Sequence, residues 1–375
     1  MTPGSDIDVV PVRTADEREA FIRLPWSLYR GLDAWVPPLL GDMRSRTDPD
    51  RHPFYGHSDA RLYLALRGGR PVGRIAAIHN RNHVAFHDEP VGFFGFFESV
   101  DDADVSEALF EAAAGWLRDR GLDVMRGPTS YSTNEESGLL VEGFERPPAI
   151  LMPYNARYYE KLVTGAGFEE AATLVAYHLA DNRPPDWLER ISDRVRERTG
   201  VRIRPLRMSE FERELERIQS IYNAAWERNW GFVPMTDAEF EHMADELEPV
   251  LEPDLALIAE DASGDPVGFS LALPDLNEAI RHANGRLFPF GLLKILWHAR
   301  RIRMARVITL GLVEAYRGRG VDGLLYLETF RNGADHGITE GEFSWVLEDN
   351  EPMRKPLERM GARVYKRYRI YDRPL

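Results

Sequence analysis

The chain has 375 residues, 43% hydrophobic and 29% charged, with a formal net charge of −14 at pH 7. That length exceeds one ordinary core and fits two domains, and the acidic balance argues against nucleic acid, which demands a broad basic face. With no cysteine, disulfides, thiolate catalysis and Cys-ligated metal are excluded. No apolar run approaches the roughly 20 residues of a bilayer span. MTPGSDIDVV lacks a secretion-signal pattern, so a cytoplasmic location is expected, with the inner-membrane surface as the alternative.

In chain order, a strand is expected near Ile7 to Val12. A helix opened by Thr14 follows, with Asp16 and Glu17 in its first turn, where the helix dipole favours carboxylates. RLYLALRGGRPVGRIAAI sets two apolar runs around a glycine turn, a hairpin signal over 61–79. His79, His83 and His87 come next in what reads as a connector between strands, where a spacing of four does not converge on a metal. VGFFGFFESV reads as a buried strand, 104–119 as a helix with Leu109, Phe110, Ala113, Trp116 and Leu117 on one side, and Leu122 to Met125 as another strand. Residues 127–153 form a long polar, proline-bearing loop, and loops of that length are usually functional. Its Tyr131, Asn134 and Glu142, with Tyr154 and Asn155 just beyond, are candidates for binding an acceptor substrate. This half, 1–180, closes with a helix through Tyr158, Tyr159 and Leu162 and a strand ending at His178.

Prolines and polar residues in ADNRPPDW mark a boundary, and a charged helix from Trp187 to Arg198 reads as a linker over 181–200. Residues 201–375 then repeat the first half. Asp59, Leu62, Gly69, Pro71, Val72 and Gly73 recur as Asp254, Leu257, Gly264, Pro266, Val267 and Gly268, each 195 positions later, and Trp35 with Trp230 and Asn155 with Asn350 keep that spacing. Two copies of one fold are the simplest reading. The second copy carries an insertion at 277–305, where LFPFGLLKILWHARRIRMAR joins an apolar segment to Arg300, Arg301, Arg303 and Arg306. That composition suits an interfacial helix, so peripheral membrane contact through 285–306 is one expectation and a core helix with a basic exposed end is the other.

The chemistry concentrates in RVITLGLVEAYRGRGVDGLLYLETFR, residues 306–331, which reads as strand, glycine turn and helix. Gly318 and Gly320 let the backbone approach a ligand closely. The first-turn N–H groups and the helix dipole form an anion site, and Arg317 and Arg319 add forked donors suited to phosphate. Binding of a pyrophosphate is expected. In the first copy the corresponding stretch, Ser99 to Asp104, is acidic and opposes phosphate, which implies one cofactor site per chain.

This order of strands, helices and glycine loop resembles the GNAT acyltransferase superfamily, twice over. The resemblance implies an α/β (α+β) fold of two tandem GNAT-like domains, each a mixed, mostly antiparallel twisted sheet flanked by helices. In that superfamily a Gln/Arg-x-x-Gly-x-Gly/Ala pattern holds the pyrophosphate of acyl-CoA, and here Arg317, Gly320 and Asp322 take its three positions, the last a departure. Asn350 with Gly361 matches the family's Asn-(x)10-Gly segment. Leu357 stands where many members place a tyrosine general acid. The cofactor-binding residues so implied are Leu312, Val313, Arg317, Gly318, Arg319, Gly320 and Asn350, with the region of Val313 splayed to take the pantetheine.

More narrowly, GPTSYSTNEESGLLVEGFERPPAILMPYNARYY, GRLFPFG and YRGRGVD are similar to the tandem-GNAT bacterial family that includes bacterial ceramide synthases. That similarity implies an N-acyltransferase moving an acyl group, long-chain by analogy, from acyl-CoA to an amine such as a sphingoid base. Acetyl-CoA or long-chain acyl-CoA would be the co-substrate and a lipid-like or small-molecule amine the acceptor. An acetyl-CoA-dependent enzyme acting on a small polar amine, and a non-catalytic acyl-CoA or lipid-binding protein, are the alternatives. Tandem GNAT folds also serve aminoacyl-tRNA-dependent peptidyltransferases, which the retained glycine loop and net acidity disfavour. Amine acylation needs a base and oxyanion donors; Glu314, just past the fourth strand, and Glu348, at the end of the fifth, are the candidate catalytic residues.

Overall fold

The computed structural model describes residues 6–226 and 229–375. The first half forms strands β1 (Ile7–Pro11), β2 (Asp59–Arg67), β3 (Arg70–His79), β4 (Val91–Ser99), β5 (Val124–Gly127), β6 (Leu139–Glu142) and β7 (Glu169–Leu179). Its helices are α1 (Ala15–Leu28), α2 (Leu40–Arg46), α3 (Arg81–His87), α4 (Ala103–Arg118) and α5 (Tyr159–Gly165). The second half adds α6 (Asp186–Thr199), β8 (Arg202–Pro205), α7 (Phe211–Trp226), α8 (Asp237–Leu247), β9 (Ala256–Glu260), β10 (Pro266–Pro274), α9 (Asn277–Ile280) and α10 (Gly291–Ala299). It ends in β11 (Met304–Leu312), α11 (Val321–Asp335), β12 (Glu340–Leu347), α12 (Glu351–Arg359) and β13 (Arg363–Pro374).

Local chemistry sets many of these boundaries. Thr14 and Glu17 start α1 as a reciprocal capping box: Glu17 N donates to Thr14 Oγ1 at 3.2 Å and Thr14 N to Glu17 Oε2 at 2.9 Å. The apolar stripe of α4 buries Leu109, Phe110, Ala113 and Leu117 against Ala65 and Ile75 of the β2–β3 hairpin.

Two compact units result. One comprises the chain up to Leu174 with Ile280–Ile295 and Lys366–Leu375; the other comprises Val175–Ala279 with Leu296–Tyr365. The first has strand order β1-β2-β3-β4-β5-β13, with β6 also on β13, and the second β8-β9-β10-β11-β12-β7. Hairpin pairs are antiparallel, whereas β4–β5 and β11–β12 are parallel. Periodicity predicts that each half closes with its own last strand. Instead β13 pairs with β5, from Tyr371 opposite Gly127 to Pro374 opposite Val124, and β7 lies beside β12. The Arg126 guanidinium reaches both oxygens of Asp372 at 2.8 Å and fixes that register.

Two further readings are corrected. The 127–153 segment is not wholly loop, because β6 within it pairs with β13 at Leu139, Leu140 and Glu142. The histidine connector is helical: α3 is a seven-residue helix on which His83 and His87 stack with centroids 4.4 Å apart, while His79 ends β3. His83 is buried edge-on to Phe93, and its Nε2 has no partner. Among the described residues no cluster of three or more His, Asp or Glu could hold a metal.

Burial, aided by His87 and Arg126, depresses the His83 imidazole to about 3. Unfolded histidine titrates near 6.5, so between those values the unfolded chain takes up a proton that the fold refuses. Stability therefore falls as pH drops through the window, with a slope approaching about 1.4 kcal/mol per pH unit from this group. Denaturant titrations across pH 4 to 7 are expected to show a shallower acid loss in His83→Leu than in the parent; parallel slopes would refute it.

Candidate functional site

The site is built where a parallel strand pair comes apart. β11 and β12 keep register from Met304 opposite Glu340 to Val307 opposite Phe343. Beyond that pair the strands run on to Leu312 and Leu347, and among the described residues no further pairing joins them. β11 stays on β10 along its other edge, as far as Leu312 opposite Gly268. Backbone groups facing the wedge therefore lack a ladder partner. Thr309 Oγ1 and Trp345 Nε1, one from each splayed stretch, and Ser270 Oγ of β10 are likewise buried without a hydrogen-bond partner. Such orphaned groups suit a ligand that carries its own amides and carbonyls.

From β11 the chain passes through a short 3-10 turn at Glu314–Tyr316 into the glycine turn, and Gly320 caps α11 in the left-handed region at φ +87°. A Cβ there would lie 3.0 Å from Val195 of α6. The first N–H groups of α11 have no acceptor within the helix. Arg317 is exposed yet also reaches backbone: its Nε donates to Leu312 O at 3.1 Å and a terminal nitrogen to Ala225 O at 3.0 Å. Arg319 is exposed, with its guanidinium 5.5 Å from the Tyr316 ring centroid. Asn350 caps α12 by accepting from Met353 N at 3.3 Å, and Leu357 is fully buried in the core. Glu314 is exposed, and Glu348 is half-buried just past β12.

A polar cluster that sequence reading missed stands at the apex. Strand alternation puts Arg306 and Glu342 on the face opposite Val307 and Phe343, which pack with Tyr326 and Phe330 of α11. Arg306, Glu342 and Ser344 are 2%, 0% and 3% exposed. Arg306 donates to Ser344 Oγ at 2.9 Å and to Ser344 O at 3.1 Å, and Ser344 Oγ donates to Glu342 Oε1 at 2.5 Å. The Tyr365 hydroxyl donates to Glu342 Oε2. Alongside, His178 Nε2 meets Glu340 Oε2 at 2.6 Å, and its ring centroid is 5.5 Å from that of Tyr365. Arg306, read from sequence as the end of a basic helical run, is thus a buried strand residue. The available signals were an arginine inside an apolar β-branched run and the alternating Glu340, Glu342 and Ser344.

In the first unit the corresponding opening is filled by the chain itself. After Phe93 opposite Arg126, Thr129 N donates to Phe94 O at 2.8 Å and Phe96 N to Ser130 Oγ at 3.3 Å. A Cβ on Gly95 would fall 2.4 Å from Thr129 O. Where the second unit has its glycine turn, Asp102 caps α4 and pairs with Arg67 at 2.7 Å.

The acceptor candidates in this unit mostly hold structure. Tyr131 is fully buried, stacked on Phe54 at 4.6 Å, and donates to Arg46 O at 2.5 Å. Asn155 accepts from Leu140 N at 2.7 Å and donates to Leu140 O at 3.1 Å, acting as an extra strand rung for β6. Tyr154 donates to Phe144 O at 3.3 Å, Asn134 N to Ser132 Oγ at 3.2 Å, and the exposed Glu142 accepts from Arg367.

No protein-family model matches the chain. It is 37% identical over 368 residues to Protein YghO of Escherichia coli (strain K12), covering 96% of this chain and 93% of that protein. It is 36% identical over 381 residues to Bacterial ceramide synthase of Caulobacter vibrioides (strain NA1000 / CB15N), covering 99% and 98%. Among solved structures it is similar to a tandem GNAT protein from the clavulanic acid biosynthesis pathway, with TM-score 0.57, 12% identity and 98% of each chain covered. It is also similar to a GCN5-related N-acetyltransferase from Sphaerobacter thermophilus, with TM-score 0.56, 15% identity and coverage of 100% and 97%. These structural likenesses give the fold: mixed α/β, in the tandem GNAT arrangement.

The two backbone contacts of Arg317 predict that Arg317→Ala lowers unfolding free energy by about 1.5–3 kcal/mol, the range for hydrogen bonds from charged groups. Thermal unfolding of the unliganded protein measures it, and an unchanged midpoint would show that the brace carries no stability.

Proposed function

We propose that this chain, which belongs to the tandem GNAT acyltransferase family that includes bacterial ceramide synthase, moves a long acyl group from acyl-CoA to the amine of a sphingoid base. N-acyl transfer is the activity of the family; the chain length and the acceptor are the finer parts of the reading. The observation that carries it is the wedge beyond Val307 and Phe343, with Thr309 Oγ1 and Trp345 Nε1 unpartnered inside it and the glycine turn at its mouth. These residues fit the co-substrate. Unpaired strand edges offer hydrogen bonds to pantetheine amides, and the first turn of α11 with Gly318, Arg319 and Gly320 offers N–H groups and positive charge to a pyrophosphate. Leu312 and Val313 border that passage, Arg317 stiffens it and Asn350 sets the start of α12.

A small, largely apolar crevice lies beside Val307 and Phe343, lined also by Leu179, Leu255, Tyr326 and Phe330, and it is on this face that the proposed apolar tail would lie. Glu314 and Glu348 follow the ends of β11 and β12 and stay in this reading as candidate catalytic carboxylates. Tyr131, Asn134, Glu142, Tyr154 and Asn155 shape the first unit's loop, and of these Glu142 is the exposed side chain through which an acceptor would feel it.

Calorimetric titration with palmitoyl-CoA and acetyl-CoA, followed by transfer assays with sphinganine and a panel of small polar amines, tests the reading. Palmitoyl transfer to sphinganine is expected, and Gly320→Trp should abolish binding. Turnover confined to acetyl-CoA and a small amine would favour the acetyltransferase alternative, binding without transfer would favour a carrier, and no heat from either thioester would sink the cofactor assignment.

Peripheral membrane contact is part of the proposal. Phe288, Phe290, Leu293, Leu296 and Trp297 are 78%, 66%, 64%, 55% and 59% exposed. Between Glu278 and Glu314 the sequence has no acidic residue but includes Arg281, Arg286, Lys294, Arg300, Arg301 and Arg303. Exposed apolar side chains interspersed along the sequence with cations, in an acidic protein, suit an anionic bilayer. No helix among the described residues is long and apolar enough to cross a membrane. Cosedimentation with phosphatidylglycerol vesicles, reduced by salt and lost in a Phe288→Ser, Leu293→Ser, Trp297→Ser variant, is expected; equal binding by parent and variant would remove this contact.

A further inference from the structure

At the apex of the wedge, strands β11, β12 and β13 bring a buried carboxylate under a half-buried phenol. We propose that Tyr365 and Glu342 form the proton-transfer pair of the acyl transfer, with Arg306 and Ser344 as positioning residues. The proposal rests on the acyl-transfer reading above and assigns the base to a pair at the last β11–β12 rungs, earlier along the strands than Glu314 and Glu348.

Glu342 is 0% exposed, and a buried carboxylate persists only when charge and hydrogen bonds compensate its lost hydration. Compensation here is asymmetric. Oε1 is held by Ser344 Oγ at 2.5 Å, and Ser344 is itself fixed by Arg306, whose Nε lies 3.9 Å from the same Oε1. Oε2 is held by the Tyr365 hydroxyl. A purely structural pair would set the arginine fork on both carboxylate oxygens. Here Arg306 donates to Ser344 Oγ and Ser344 O, and Glu342 Oε2 accepts from a phenol at the edge of the core.

That arrangement makes the phenolic oxygen the route between Glu342 and the face where an acceptor can stand. The groups facing Glu342 are Arg306 from β11, Tyr365 from β13, and Ser344 with Glu340 on its own strand; His178 of β7 is bonded to Glu340 and packs by Tyr365. Glu342 also belongs to the last rungs before the strands part, since Arg306 opposite Glu342 immediately precedes Val307 opposite Phe343. A thioester drawn into the wedge from the glycine turn would reach this point with its acyl carbon.

An acceptor ammonium gives one proton to the Tyr365 oxygen as the phenolic proton passes to Glu342 Oε2. The freed nitrogen lone pair attacks the thioester carbon, the C–N bond forms, and the C–S bond breaks with its electron pair on sulfur. The second nitrogen proton ends on that thiolate. Products are the amide, the thiol and one proton, which returns from Glu342 through Tyr365 to solvent.

The test compares the full-length parent with Glu342→Gln and Tyr365→Phe in palmitoyl transfer to sphinganine across pH, alongside calorimetric palmitoyl-CoA binding. Glu342→Gln and Tyr365→Phe are expected to lower kcat by about 100- to 10,000-fold and to move the rising limb of the pH profile alkaline by roughly one unit. Acyl-CoA affinity should stay within about twofold, since the lost interaction belongs to the chemical step. Tyr365→Phe removes a single oxygen from a half-buried ring and carries the test alone if Glu342→Gln does not fold. Activity of Tyr365→Phe within about threefold of the parent, with an unmoved profile, would overturn the assignment. A parent that binds palmitoyl-CoA but acylates no amine would overturn the acyl-transfer reading and this inference with it; an active parent with active variants overturns the inference alone.

Discussion

The structure of the second unit depends on one interruption, the end of pairing between β11 and β12 after Val307 and Phe343. A parallel sheet interior normally satisfies every backbone N–H and C=O, and strands that diverge inside a fold leave a row of groups needing partners. The two units answer that demand differently on the same strand order. In the first, Thr129 and Ser130 fold back onto Phe94 and Phe96 and supply the missing bonds from the chain itself. In the second, no pairing between β11 and β12 follows Val307 opposite Phe343 among the described residues, and buried Thr309 Oγ1 and Trp345 Nε1 add to the unmet demand. A duplicated fold has thus become asymmetric by the presence or absence of a plug about two residues long, which makes the 127–138 stretch a structural element before it is anything else.

The mouth of the wedge is held open by packing on its far side. The helix read from sequence as a linker, α6, lies along α11: Val195 sits against Gly320, Leu188 is 3.2 Å from where a Cβ of Gly323 would stand, and Arg196 pairs with Glu328 at 2.5 Å. Arg198 donates to Arg319 O at 2.5 Å. Glycine at 320 therefore answers two requirements at once, a left-handed cap and a close helix contact. Arg317, which looks like a phosphate ligand by its spacing, is committed to Leu312 O and Ala225 O. Its contribution is to fix where the turn leaves β11, and both it and Arg319 remain exposed.

Features governed by local chemistry were legible in the sequence. The α1 capping box, both hairpins, the amphipathic α4 and the strand–turn–helix around Gly320 follow from residues a few positions apart, and the 195-residue offset disclosed the duplication. Features decided by remote partners were not. β7 and β13 carry similar alternation, so nothing local tells which closes which sheet; the choice falls to contacts such as Arg126 with Asp372. The helix α3 was hidden because a seven-residue segment bounded by strands has too few turns to display a period. Tyr131 and Asn155 looked like site residues because they are polar or amphipathic members of a long loop, yet their partners, Arg46 O and the backbone of Leu140, show that they hold that loop in place. The Arg306–Glu342–Ser344–Tyr365 cluster needs three strands in register before it exists.

The same logic bears on how this fold can lose one acid–base group and retain chemistry. Resemblance places a tyrosine at position 357 in many relatives, on the helix after the fifth strand; here Leu357 is fully buried among Tyr177, Phe330 and Phe343. Restoring a hydroxyl there would require a partner that this apolar core does not offer, since a buried phenol left unbonded costs about 1–3 kcal/mol. On the other face of the sheet the balance is reversed. A tyrosine at 365 finds a carboxylate already anchored by Ser344 and Arg306, so its hydroxyl is both satisfied and adjacent to the apex. A phenol on the strand face rather than the helix side leaves the core under α11 apolar around Val307 and Phe343. On the proposed reading, the division of the sheet into an apolar face and a polar face is what lets one wedge serve a lipid chain and a proton transfer together.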